Sequence, residues 1–140
     1  MTQVIDREVR RRARDRCEYC LSPQAASRLK FPIDHVISKQ HRGKTELINL
    51  ALACGACNRH KGPNIAGFDP QTGALTRLFN PCLDRWSENF KWDGAAIVGI
   101  SAVGRATVDV LAMNERFRLA AREALIEEGL LITTVADRAE

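Results

Sequence analysis

The stretch INLALACGACNRHKGP, residues 48–63, decides how this 140-residue chain must fold. Its first half is a strand-like apolar run interrupted only by Asn49. Cys54 and Cys57 follow as a C-x2-C pair, and GACNRHK is long enough for two turns of helix. Gly62 with Pro63 behind it then stops the helix, because glycine accepts the turn out and proline cannot continue it. A cysteine pair at the mouth of so short a helix holds little alone. It needs a second pair.

That pair is Cys17 and Cys20 in CEYC, with 33 residues between the two. Two such knuckles can present four thiolates tetrahedrally to Zn²⁺; a redox pair or chance spacing are the alternatives. The interval is longer than in a compact zinc ribbon, so it must hold structure of its own. KFPIDHVIS, residues 30–38, supplies a strand, and alternation sets Phe31, Ile33, His35 and Ile37 on one face. KQHRGKTE is a basic loop around Gly43. The order is therefore strand, loop, strand, short helix. A site closed by four sulfurs is structural, its binding energy part of folding, so any chemistry must sit elsewhere. Cys82, beside Pro81, is expected as a buried small hydrophobe rather than a fifth ligand.

Composition fits this picture. With 45% hydrophobic and 27% charged residues the chain reads as an ordinary globular protein. No apolar run approaches a membrane span. MTQVIDREVRRRARDR lacks the apolar core of a secretory signal, so a cytoplasmic location is expected, where close cysteines hold metal rather than form disulfides. The net charge of +4 is uneven: residues 1–64 carry 13 Lys and Arg against 6 Asp and Glu, and residues 65–140 carry 8 against 11. A basic half suggests a polyanionic partner. Residues 3–16 read as an arginine-rich helix with sparse apolar positions at Val4, Ile5, Val9 and Ala13.

Residues 65–140 are expected to form an extension packed on the 1–64 core, the two making one structural domain. Asp93-Gly94 between apolar runs predicts a hairpin. RATVDVLAM, 105–113, reads as another strand. NERFRLAAREALIEEG reads as a helix capped by Asn114, with Phe117, Ala121, Ala124 and Leu125 inward and Gly129 at its end. Residues 130–140 carry no clear pattern.

Together, CEYC, DHVIS and GKTELINLALACGACNRHKG resemble the HNH nuclease motif in its zinc-stapled form, over residues 17–62. The resemblance implies an α+β fold: a ββα-metal core with a four-cysteine zinc clamp, followed here by a β-hairpin and helix extension. LFNP, RW, GRATV and MN, within residues 68–118, resemble the C-terminal extension of a bacterial HNH endonuclease subgroup. The implied activity is hydrolysis of phosphodiester bonds in DNA.

That chemistry needs a base to activate water and a cation to offset developing charge. His35 is the natural base, since imidazole titrates near neutrality. Asn49 on the facing strand could accept from the other ring nitrogen and fix the tautomer; the resembled family gives its histidine and middle asparagine these roles. Asp34 and Asn58 offer hard oxygen ligands suited to Mg²⁺ or Mn²⁺, and the family places its catalytic metal on the matching positions. Here the third motif position is asparagine rather than histidine, which favours that type of site. His60 lies roughly 200° around the helix from Asn58, so the two do not share an ion. Neighbours on a regular strand face opposite ways, so Asp34 and His35 either flank a phosphate from two directions or sit on a distorted strand. Arg11, Arg12, Arg42 and Lys44, with His60 and Lys61, are candidate nucleic-acid contacts. The reading from another class is a non-catalytic zinc-dependent nucleic-acid-binding module. It shares the clamp and the basic half but needs none of Asp34, His35, Asn49 and Asn58. The oligomeric state is not written in the sequence.

Overall fold

Thr2 opens helix α1 (Gln3–Arg12), its hydroxyl accepting from the Ile5 amide at 3.2 Å. Only Val9 of this helix is fully buried, and two arginines pair with acids one turn back, Arg10 with Asp6 at 2.7 Å and Arg11 with Glu8 at 2.6 Å. In the computed structural model, which describes residues 1–134, a left-handed turn at Arg14 and Asp15 then leads into the first cysteine knuckle.

Strands β1 (Ile33–His35) and β2 (Leu50–Leu52) pair antiparallel, with Ile33 opposite Leu52, Asp34 opposite Ala51 and His35 opposite Leu50. Both are shorter than the sequence suggests. Residues 47–49 form a 3-10 turn instead of strand, which lets Asn49 reach back across the β1–β2 loop. The knuckle is tied to β2 twice, through Glu18 N–H to Leu52 O at 2.8 Å and Leu52 N–H to the Glu18 carboxylate at 2.8 Å. Helix α2 (Gly55–Lys61) starts at Cys54, whose sulfur accepts from the Cys57 amide, and ends at Gly62 with φ +50°.

The extension contains a hairpin, β3 (Ala66–Phe68) with β4 (Leu75–Arg77), not foreseen from the sequence. Its turn is built on buried Asp69, which accepts from Gln71, Thr72 and the Arg105 guanidinium. A short α3 (Trp86–Asn89) precedes the second hairpin, β5 (Phe90–Asp93) with β6 (Ala96–Gly99), turning at Gly94 with φ +60° as Asp93-Gly94 predicts.

Two readings of the extension are corrected. RATVDVLAM belongs largely to helix α4 (Ala102–Val110), because Ser101 caps it through the Gly104 amide. Gly104 lies against Asn89 O and Gly99 against the Gly104–Arg105 backbone, so a Cβ at either would overlap main chain. Helix α5 (Arg116–Glu127) is capped by Glu115, not Asn114, whose carboxamide is spent on both backbone groups of Ile97. Phe117 is 75% exposed, and the buried residue of α5 is Arg122. The expected apolar stripe therefore faces largely outward.

One hydrophobic core joins both halves: Val9, Tyr19, Leu50 and Leu52 pack in the same cluster as Phe79, Trp86, Phe90 and Met113. Trp86 contributes more than area, since its indole N–H donates to Tyr19 O at 2.8 Å. Cys82 is half-buried, its thiol 3.3 Å from Leu50 O. No helix among the described residues is long and apolar enough to cross a membrane.

Candidate active site and metal centre

The sulfurs of Cys17, Cys20, Cys54 and Cys57 are buried and lie within 4.8 Å of one another. Cys20 and Cys54 sulfurs are 3.7 Å apart. A tetrahedron with zinc–sulfur bonds of about 2.3 Å has edges of roughly 3.8 Å, so the spacing fits zinc. Backbone amides of Cys20 and Cys57 each reach a sulfur at 3.4 Å, the geometry of two knuckles facing each other. Arg118 adds a cation from α5: its Nη2 is 2.9 Å from Cys57 Sγ. Burial works against that charge, and the sulfurs of Cys57 and Cys20 more than offset it, holding the guanidinium protonated well above the ordinary arginine range. No sequence pattern marked this residue.

Strand β1 is regular, so Asp34 and His35 do point to opposite sides. Asp34 faces inward and is 6% exposed. Tyr19 Oη donates to it at 2.8 Å, and the Lys61 ammonium lies 3.0 Å from Oδ2 and 3.3 Å from Oδ1. Lys61 is itself 1% exposed and also donates to His35 O at 3.2 Å. Burial raises the Asp34 pKa, opposed by the Lys61 charge and the Tyr19 and Lys61 hydrogen bonds. Lys61 is therefore no surface contact for nucleic acid, and that expectation is withdrawn: its ammonium is committed to neutralising Asp34. Tyr19, the third residue of CEYC, is the partner that residue spacing alone did not single out.

His35 is half-buried on the other face, its Nε2 2.8 Å from Thr45 Oγ1. Burial, then the nearby charge of Lys39, lowers its pKa, so the neutral imidazole that can take a proton is favoured. The expected bond from Asn49 to this ring is absent. Asn49 Oδ1 instead accepts from Ile37 N–H at 2.8 Å, while Nδ2 donates to Ile37 O at 3.0 Å and Lys44 O at 2.9 Å. Asn49 thus closes the loop, and Thr45 on that loop meets the ring. Gly43 is needed there, since any side chain would overlap Ile37 O.

Asn58 lies one turn before Lys61 on α2, partly exposed, and its carboxamide has no hydrogen-bond partner among the described residues. Both Asp34 oxygens already have partners in Tyr19 and Lys61, so of the two expected oxygen ligands only the Asn58 carboxamide is uncommitted. Of the remaining candidates, Arg42, Lys44, Arg11 and His60 are exposed, along with Arg59. Arg12 is not available: its guanidinium donates to Leu47 O at 2.9 Å and Leu50 O at 2.6 Å, fastening α1 to the β2 entry.

Residues 17–64 match the family model of the HNH endonuclease domain. That segment covers both knuckles, β1, β2 and α2. No curated protein and no solved structure matched the chain.

Proposed function

We propose that this protein is a metal-dependent endonuclease that hydrolyses phosphodiester bonds in DNA. The supporting observation is His35: it lies inside the HNH segment, is anchored by Thr45, and has its neutral form favoured. In this reading Nε2–H of His35 donates to Thr45 Oγ1, and Nδ1 takes the proton from the attacking water. Thr45 orients the ring, and Asn49 acts one step removed by holding the loop that carries Thr45. Asp34 and Asn58 would hold Mg²⁺ or Mn²⁺, which supplies Lewis-acid stabilisation of charge on the scissile phosphate. Arg42, Lys44, Arg11 and His60 contact phosphates without reading sequence. The four-cysteine zinc is structural, and residues 1–64 with the packed extension act as one unit.

One observation favours a second reading, a zinc-dependent nucleic-acid-binding module without catalysis. Asp34 already has a buried cation, Lys61, on its carboxylate.

Supercoiled plasmid and single-stranded oligonucleotides incubated with Mg²⁺ or Mn²⁺, with and without EDTA, separate the two. The endonuclease reading expects metal-stimulated cleavage, lowered about 10²- to 10⁴-fold by His35→Ala with zinc content and DNA affinity retained. Binding without cleavage under every condition establishes the module instead, and full activity of His35→Ala removes His35 from the role of base.

A further inference from the structure

Helix α5 lies outside the segment that matches the HNH domain, yet it brings two arginines inward, Arg118 and Arg122, at a spacing of four residues that puts them on one face. Arg118 Nη2 is 2.9 Å from Cys57 Sγ and 3.9 Å from Cys54 Sγ, while Nη1 donates to Leu111 O at 2.6 Å. Arg122 is 2% exposed; it donates to Ala95 O at 2.7 Å, Met113 O at 2.6 Å and Asn114 Oδ1 at 3.0 Å. These partners are sulfurs, carbonyls and a carboxamide. No carboxylate is among them.

Burying two guanidinium groups without an anion is strongly disfavoured. Conversely, a zinc dication held by four thiolates leaves two negative charges over, in a place closed to water. The two excesses match in number and are opposite in sign, and Arg118 touches the sulfurs directly. We infer that Arg118 is a counter-charge of the zinc centre, joined to its sulfurs by hydrogen bond, with Arg122 one turn further along the same face of α5. Helix α5 is thus an outer part of the metal site, docking on the loaded centre and slowing the loss of its ion. This rests on the four-cysteine site alone and stands whether or not the protein cleaves DNA.

The test uses the full zinc-loaded chain and the rate at which zinc passes to a chromogenic chelator. Arg118→Gln should raise that rate about 10- to 100-fold, the usual effect of removing an outer partner of a metal ligand. Arg118→Lys, which keeps the charge but not the planar fork, should fall between. Thr107→Val controls for general destabilisation, because Thr107 is buried and bonds Phe79 N and Val103 O, away from the sulfurs. An unchanged rate for Arg118→Gln, or an equal rise for Thr107→Val, overturns the inference. If Arg118→Gln does not fold, hydrogen exchange of the wild type decides. Amides of residues 116–127 should lose protection once zinc is withdrawn, ahead of those of β3 and β4; protection that persists without zinc, or is lost together with that of the hairpin, refutes the docking.

Discussion

Lys61→Met is the most informative single change. It removes a cation that is 1% exposed from a carboxylate that is 7% exposed, across 3.0 Å. The surrounding core keeps water away, and among the described residues Tyr19 Oη stays as the one remaining side-chain donor to Asp34. Breaking one side of such a pair costs about 3–5 kcal/mol, because the charge left behind is uncompensated. Against a typical domain stability of about 5–15 kcal/mol, that is a large loss. The pH dependence follows from Asp34. Its pKa is already raised by burial, and Lys61 is the strongest influence pulling it down. Without Lys61 the folded value rises further above the unfolded one. A group raised in this way is least destabilising below its unfolded pKa, and its penalty appears as pH climbs through the folded value. Lys61→Met should thus lag wild type most at neutral pH and close the gap toward about pH 4. Urea denaturation across that range measures it. Asp34→Asn added to Lys61→Met should recover most of the loss, since a neutral carboxamide needs no counter-charge. A deficit under about 1 kcal/mol that is flat with pH, or no recovery in the double variant, would refute the buried-pair account.

Asn49→Ala leaves the amide of Ile37 and the carbonyls of Ile37 and Lys44 without their partner, and should cost about 1–3 kcal/mol, read by the same denaturation. Thr45→Val should leave stability nearly unchanged but lower cleavage and shift its pH profile, because the imidazole loses its Nε2 partner; an unaltered profile removes Thr45 from the site. With its pKa below the ordinary imidazole value, His35 should sustain cleavage into mildly acidic solution, losing it only as pH falls through that lowered value. Charge reversal at Arg42 or Lys44 should weaken duplex binding and flatten its salt dependence by about one unit of slope, whereas Arg12→Glu should instead destabilise the fold.

What the sequence made legible was what depends on fixed spacing. Two C-x2-C pairs gave the centre, Asp93-Gly94 gave the second hairpin, and Gly62-Pro63 gave the end of α2. Where side chains compete for partners, the pattern misled. Thr107, Val108 and Val110 are residues that favour strands, but Ser101 caps a helix through them and a close backbone contact at Gly104 fixes it. In α5 the apolar periodicity gave way to hydrogen bonding: Arg118 and Arg122 turn inward onto sulfur and backbone carbonyls, and Phe117 stays at the surface. At the site, the adjacency of Asp34 and His35 was readable, but which partners they meet was not. Tyr19, Lys61 and Thr45 reach them from 15, 27 and 10 residues away, and only the packed chain chooses among such donors.

The indole of Trp86 on the Tyr19 carbonyl sets an order in time. During synthesis both knuckles, both strands and α2 leave the ribosome well before residue 86 does. Tyr19, which holds Asp34, has a free backbone carbonyl and an unfilled aromatic neighbourhood until then. The core beside Asp34 is completed late, when Phe79, Trp86 and Phe90 close around it, so a growing chain carries the segment that names the domain long before it carries a finished site.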